Sequence, residues 1–319
     1  ELEAATGARG QTVARWLAVQ AGHDGERFLL GDPDQLSYRS VIVVDEASML
    51  STSDLDQLTA RAAAAKARVV LVGDPAQIGA VNAPGGMFEH LTAVLATRRI
   101  ELTELHRFQN AWEAAATLRL RDGDPGVLDV YAEHGRIHPE ASSEDAADAV
   151  FDRWRHGSEQ GADVLMLARS WTDVTALNAR ARAVGIATGA ITGPDLALIT
   201  SRTPSTRGQA EVRGWRAGDV LIAKKNTTTI TVGADTLRNS DRFRVLAAAG
   251  AGGLLVDDLR GRGTTTLPAA YLAKHAEYGW AATIDGAQGA TADVGIVLAR
   301  AGLDREHLYV ALSRGRLEN

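Results

Sequence analysis

A chain of 319 residues, 45% hydrophobic and 23% charged, has the composition of a soluble globular protein long enough to bury two ordinary cores. The absence of cysteine excludes disulfides and thiolate metal sites, and eight histidines without a paired ligand spacing give no expectation of structural zinc. The net charge of −6 argues against nucleic acid only until it is divided: residues 1–150 carry 23 acidic and 13 basic side chains, net −10, whereas residues 151–319 carry 17 acidic and 21 basic, net +4, so the second half can face a polyanion.

No run of about eighteen apolar residues is present for a membrane span, and the opening ELEAATGARG lacks the basic-then-apolar layout of a secretory signal, so a cytoplasmic protein with no membrane partner is expected. In chain order, strands are expected at 41–45 (VIVVD), 68–72 (RVVLV), 99–102 (RIEL), 163–168 (DVLMLA), 280–284 (WAATI) and 293–299 (DVGIVLA). Helices are expected near 53–66, 86–96, 111–121, 143–157 and 171–184, several of them opened by Ser, Thr or Asp caps. That alternation is the pattern of an α/β protein with parallel sheets covered by helices. The stretch from about 190 to 270 differs, with short Thr-, Gly- and Val-rich alternating runs that read as an inserted antiparallel β module.

Asp45 and Glu46 end an apolar strand, where open α/β sheets bind their ligands. One such acid can hold Mg²⁺ while its neighbour deprotonates an attacking water. Taken alone, an apolar run followed by two acids more often merely ends a strand. One helix later, LVGDPAQIGAV at 71–81 repeats the strand-then-turn layout, with Gly73 and Pro75 in a tight turn, Asp74 able to bond its amides, and Gln77 facing the same crevice. An uncharged amide placed there can read a γ-phosphate.

VVDEASML, LVGDPAQIGAV, ELHRF, ATIDGAQGATAD and LYVALSRGR resemble, in order, motifs II to VI of superfamily-one DNA helicases. The RecD-like branch fits best, and within it the helicase portion of conjugative relaxases of the TraI/TrwC (MobF) type, with ATGARGQTVARWL and RNSDRFRV inside the resemblance too. Nearly the whole chain is covered. The resemblance implies tandem RecA-like, P-loop NTPase lobes, with ATP and Mg²⁺ as cofactors and single-stranded DNA as partner, translocated 5′ to 3′. It makes Asp45 the Mg²⁺ carboxylate, Glu46 the catalytic base, Gln77 the γ-phosphate sensor, and Arg107 and Arg314 the arginines that neutralise the transferring phosphoryl group. Arginines of this kind suit that task because they stay charged, yet either could equally be a surface or salt-bridge arginine.

By the same resemblance Gly73, Asp74, Gln288 and Gly289 belong to nucleotide binding and Thr291 to the phosphates of a strand, Gly289 permitting close approach. Asp285 receives no role, and Tyr309 is expected in the core. The implied domains are a partial first lobe at 1–105, a second lobe at 106–213 and 276–319, and a small β-barrel at 214–275. Lys224, Lys225, Asn226, Arg238, Arg242 and Arg244 would line the exposed face of that barrel against a phosphodiester backbone, or else serve as a solubilising rim.

A P-loop requires Gly-x-x-x-x-Gly-Lys-Ser/Thr, and no lysine here follows a glycine. The expectation is therefore a fragment whose P-loop and relaxase domains lie in a missing N-terminal part of the same polypeptide. Such a fragment would have an under-packed region 1–105 and no ATPase activity by itself. The alternative is a non-catalytic DNA- or partner-binding module with a degenerate helicase fold.

Overall fold

The structure is a computed structural model that describes residues 10–22, 36–80, 84–102, 108–206 and 209–319. It divides into two compact units, Glu1–Thr103 and Glu104–Asn319.

The first unit contains α1 (Val13–Gly22), β1 (Val41–Val44), α2 (Thr52–Ala64), β2 (Arg68–Leu71) and α3 (Met87–Val94). The apolar runs VIVV and RVVL pair in parallel, with Val41 opposite Arg68 and Val44 opposite Leu71. One face of this pair packs Ile42, Val44, Val69 and Leu71 with Trp16, Leu17, Ala47, Leu58 and Phe88. The other face is open: Val41, Val43, Val70 and Val72 are 56, 48, 45 and 38% exposed. Parallel strands are ordinarily covered on both faces, which is why their sequences are apolar throughout. Ser51 caps α2 by accepting the Asp54 amide at 3.0 Å.

The expected strand at 99–102 is not one. Residues 99–102 follow a short 3-10 turn as extended chain, and Ile100 and Leu102 are 89 and 81% exposed. Alternating RIEL satisfies the strand pattern, but no neighbouring strand accepts its backbone in the described residues.

The second unit opens with α4 (Ala111–Arg121), α5 (Val127–Glu133) and α6 (Ser143–Glu159), and continues with β3 (Val164–Ala168) and α7 (Trp171–Ala187). After the inserted module come β13 (Ala281–Thr283), β14 (Ala292–Leu298), α9 (Arg305–Ala311) and β15 (Gly315–Glu318). The order β13-β3-β14-β15 forms a wholly parallel sheet. All five residues of β3 are buried, and on one side Met166 and Ala168 pack against Phe151 and Trp154 of α6 and Leu177 and Ala181 of α7. On β13, Asn178 replaces a missing neighbour: its Oδ1 accepts the amides of Trp280 and Ala281 at 3.0 and 2.9 Å, and its Nδ2 donates to the Ala281 carbonyl at 3.0 Å.

The inserted module comprises β4 (Thr192–Ser201), β5 (Glu211–Ala217), β6 (Val220–Ala223), β7 (Thr227–Val232), β8 (Asp235–Leu237), β9 (Arg242–Ala249), β10 (Gly253–Asp258), β11 (Thr264–Leu267), α8 (Ala269–His275) and β12 (Ala276–Tyr278). Its ladders are one five-stranded antiparallel sheet, β11-β10-β9-β6-β12, with the hairpins β4-β5 and β7-β8 beside it. The hydrogen-bonded ladder does not close on itself among the described residues. What unites the strands is a shared core, in which Trp215, Phe243, Leu221, Leu254 and Leu272 are fully buried.

Candidate functional site

In the first unit, Asp45 and Glu46 leave the carboxyl end of β1 and are exposed. Glu46 adopts a left-handed backbone (φ 53°, ψ 42°), a conformation unfavourable for a residue with a side chain. Its amide donates to Asp45 Oδ1 at 3.0 Å. The chain then enters a 3-10 turn, Ala47–Met49, whose first amide donates to the Val72 carbonyl at 2.8 Å, while the Val72 amide donates to the Val44 carbonyl at 2.8 Å. These two bonds carry the β1-β2 ladder past both strands and bring the two motif loops together.

Gly73 is where they touch. A Cβ on it would stand 3.0 Å from the Ala47 nitrogen, 3.1 Å from the Ser48 nitrogen and 3.3 Å from Phe88 Cε1, an approach that glycine makes without displacing its neighbours. The next residue, Asp74, accepts the Ala76 amide on Oδ1 at 3.0 Å, and Gln77 Nε2 reaches Asp74 Oδ2 at 3.5 Å. The Asp74 carboxylate thus fixes the turn and orients the Gln77 amide. Ser48 Oγ is buried and makes no hydrogen bond.

Among the described residues no cluster of three or more His, Cys, Asp or Glu side chains could hold a metal ion. The pair Asp45 and Glu46 still suits Mg²⁺, which takes one or two protein carboxylates and completes its octahedron from water and substrate phosphates.

In the second unit, the 3-10 turn Asp285–Ala287 follows β13 at the carboxyl end of the parallel sheet, joined to β3 by the Ile284 amide donating to the Ala168 carbonyl at 3.0 Å. Asp285, left without a role in the sequence, accepts from His307 Nε2 at 3.2 Å and from Arg169 at 3.4 Å, and His307 is bonded at its other ring nitrogen to Asp304. Gly289 has a left-handed φ of 81° with open space beside it, and Thr291 is half-buried. Arg314 is 3% exposed. Its Nε donates to the Val310 carbonyl at 2.8 Å, its Nη2 to Ser313 Oγ at 2.6 Å, and its Nη1 lies 3.5 Å from the carbonyls of Ala287 and Ala290. Tyr309 is buried, as expected. Arg107 lies outside the described residues.

The six residues expected on an exposed face of the module separate. Lys225, Asn226 and Arg244 are exposed, and Arg238 is half-buried beside Asp235 at 3.6 Å. Arg242 is not on that face: it is 5% exposed, bonded to Asp163 at 2.7 Å and to the Gly279 carbonyl at 2.9 Å. Strand alternation puts Arg242 and Arg244 on the same side of β9, but the parallel lobe covers only the first. Lys224 is not exposed either. Its Nζ turns inward to the Gly286 carbonyl at 3.2 Å, lies 5.8 Å from the Trp171 ring, and is pushed down to about 8 by burial, with the Glu277 carboxylate opposing.

Sequence reasoning missed Ser240, whose Oγ donates to the carbonyls of Gly286 at 2.8 Å and Gln288 at 3.3 Å, and Arg260, whose Nη2 donates to the Gly289 carbonyl at 3.3 Å.

The family described as AAA domain matches residues 1–142. The conjugal transfer protein TraA of Rhizobium radiobacter is 29% identical over 99% of this chain, which covers 26% of that relative. RecD, a subunit of the RecBCD enzyme of Mycolicibacterium smegmatis, is 33% identical over 46% of the chain and 26% of its own length. A crystal structure of the Pif1 helicase from Bacteroides in complex with ADP-AlF3 and ssDNA superposes with a TM-score of 0.58 at 16% identity, over 97% of this chain and 79% of that one.

The chain is similar to TraA conjugal transfer proteins over nearly its whole length and to RecD over 46% of it. Those TraA relatives are conjugal transfer proteins, and the Pif1 superposition gives the chain the fold of that helicase, with RecA-like lobes and additional antiparallel sheets. The chain spans about a quarter of the length of the TraA proteins it matches, 26% in the first of them. No helix among its described residues is long and apolar enough to cross a membrane.

Proposed function

We propose that this chain carries the nucleotide-sensing and DNA-gripping parts of an ATP-driven helicase that moves along single-stranded DNA in conjugal transfer. The observation that carries this reading is the contact of Gly73 with the amides of Ala47 and Ser48, which sets the Asp45-Glu46 pair beside the Asp74-Gln77 turn as one constellation at the carboxyl end of a parallel sheet. The greater length of the TraA relatives, and the nucleotide and ssDNA bound to the Pif1 helicase in its solved complex, support it.

In this reading Asp45 holds Mg²⁺, which when bound offsets phosphate charge. Glu46 accepts the proton of the water that attacks the γ-phosphorus as its bond to the leaving ADP oxygen breaks, and Gln77 hydrogen-bonds the γ-phosphate. Gly73 and Asp74 fix the loop, Gln288, Gly289 and Arg107 are assigned to the nucleotide, and Arg314 would supply neutralising charge only after leaving the carbonyls of Val310, Ala287 and Ala290 that hold it. Thr291, Lys225, Asn226, Arg238 and Arg244 contact the DNA phosphates. The first lobe at 1–105 belongs to the same proposal, and the insert expected at 214–275 extends over 192–278, which leaves 106–191 with 279–319 for the second lobe.

The 319 residues contain no Gly-x-x-x-x-Gly-Lys-Ser/Thr, so the phosphate cradle is proposed to come from the remainder of a longer polypeptide. The purified chain is expected to bind a fluorescent oligo(dT) with affinity that falls as salt rises, and to release no phosphate from ATP with or without that DNA. DNA-stimulated hydrolysis by the chain alone would refute the division of labour. Failure to bind oligo(dT) at low salt would refute the DNA-binding assignment.

A further inference from the structure

Every backbone carbonyl from Gly286 to Ala290 accepts from a side chain outside the turn. From the inserted module, Lys224 and Ser240 hold the Gly286 carbonyl, Ser240 reaches Gln288, and Arg260 holds Gly289, at 2.8 to 3.3 Å. From the end of α9, Arg314 lies 3.5 Å from the carbonyls of Ala287 and Ala290. Lys224 lies close against the turn, since a Cβ on Gly286 would stand 2.6 Å from Lys224 Nζ.

Two of these donors stand against local preference. Ser240 holds a left-handed backbone at φ 70°, unfavourable for serine. Lys224 keeps an ammonium largely out of water where a methionine of similar length would avoid the desolvation penalty. Residues retained at such a cost concentrate at positions with a task. The charged group that acts on Lys224 is the Glu277 carboxylate on β12, which opposes the effect of burial.

We propose that Lys224 and Ser240 are positioning residues that transmit movement of the inserted module to Arg314 through the carbonyls of the 286–290 turn. The inference rests on the helicase reading for its purpose but not for its test. A displacement of β6 and the 238–241 loop pulls the carbonyls of Gly286 and Gln288, and the intervening Ala287 carbonyl is one of the two turn carbonyls that Arg314 contacts. The connection is a contiguous chain of hydrogen bonds.

Hydrogen exchange by mass spectrometry on the full chain tests it, with Lys224→Met, Lys224→Arg and Ser240→Ala compared with wild type. In Lys224→Met and Ser240→Ala, segments 284–292 and 310–316 are both expected to exchange about tenfold faster, the size expected for loss of one charge-assisted hydrogen bond, while β10 and α6 are unchanged. Lys224→Arg should retain wild-type protection. If 284–292 opens while 310–316 stays protected, the transmission is overturned. If neither segment responds to Lys224→Met, the positioning role is overturned. A wild-type chain that fails to bind oligo(dT) removes the helicase reading, and the exchange comparison still decides the transmission.

Discussion

Replacing Gly73 with alanine tests whether the two motif loops form one packed constellation. The added methyl would meet two backbone nitrogens at 3.0 and 3.1 Å and the Phe88 ring at 3.3 Å, all inside ordinary contact distance. No rotamer change relieves a clash with backbone, and the 3-10 turn is anchored by the Ala47 amide at the Val72 carbonyl, 2.8 Å, and the Met49 amide at the Glu46 carbonyl, 3.0 Å. Phe88 is 8% exposed within the core of this unit and has little room to retreat. Overpacking of this kind costs about 1–3 kcal/mol, offset by about 0.4–1 kcal/mol because alanine restricts the unfolded chain. A net loss of about 1–2 kcal/mol is expected. The assay is hydrogen exchange of peptides covering 41–50 and 68–78 across a urea series, with peptides of β3 and β14 as internal controls, because the perturbation is confined to the first unit. Stability of those peptides within about 0.3 kcal/mol of wild type would mean that the loops are not held against one another, and the shared site would fall with the contact.

Four further outcomes concern Arg242, Arg244, Lys224 and Glu46. Arg242→Leu should destabilise the second unit by about 2–4 kcal/mol in chemical denaturation, because it strands a partly exposed Asp163 and removes the donor to the Gly279 carbonyl. Arg244→Ala should leave stability within about 0.5 kcal/mol but lower the salt slope of oligo(dT) binding by about one, and the reverse assignment of the two arginines would sink the correction. The Lys224 ammonium, held at about 8 by burial against an unfolded value near 10.4, is protonated in the unfolded chain and neutral in the folded one between those pH values, so stability should rise with pH across that window. Lys224→Met should remove that slope and add on the order of 2 kcal/mol near pH 7, and an unchanged slope would show that the ammonium is not buried. At Glu46, glycine should be more stable than alanine by about 1 kcal/mol, since the left-handed backbone penalises a Cβ, and the opposite order would refute the assigned conformation.

What the sequence made legible was whatever leaves a mark in residue type. Continuous apolar runs placed β1, β2, β3 and β14, and the capping serines before α2, α6 and α7 do bond the third amide of the helix. Acidic residues after a valine run, and a Gly-Asp-Pro turn after the next, located the first-unit constellation because a strand end, a tight turn and a carboxylate each demand particular residues. The failures share a different cause. RIEL at 99–102 alternates as a strand should, yet pairing depends on a neighbour that the local pattern cannot supply. Arg242 and Arg244 have the same parity, and only the lobe packed over the first separates a buried strut from a surface cation.

The contacts on the 286–290 turn were hidden for the most general reason. Lys224, Ser240, Arg260 and Arg314 all recognise backbone carbonyls, and a carbonyl belongs to every residue, so the accepting side leaves no signature in the sequence. On the donating side, a lysine and two arginines in a net-positive half read first as phosphate ligands, and solvent-facing cations are the commoner case. Burial sets apart Lys224 and Arg314, while Arg260 holds a carbonyl from an exposed position. A cation that meets DNA must remain hydrated until the strand arrives, as Lys225 and Arg244 do, whereas one that holds the protein's own carbonyls is desolvated on folding, as Lys224 and Arg314 are. By that criterion the positive charge of the second half serves two ends, an exposed set suited to a polyanion and a buried set that joins the inserted module to the parallel lobe.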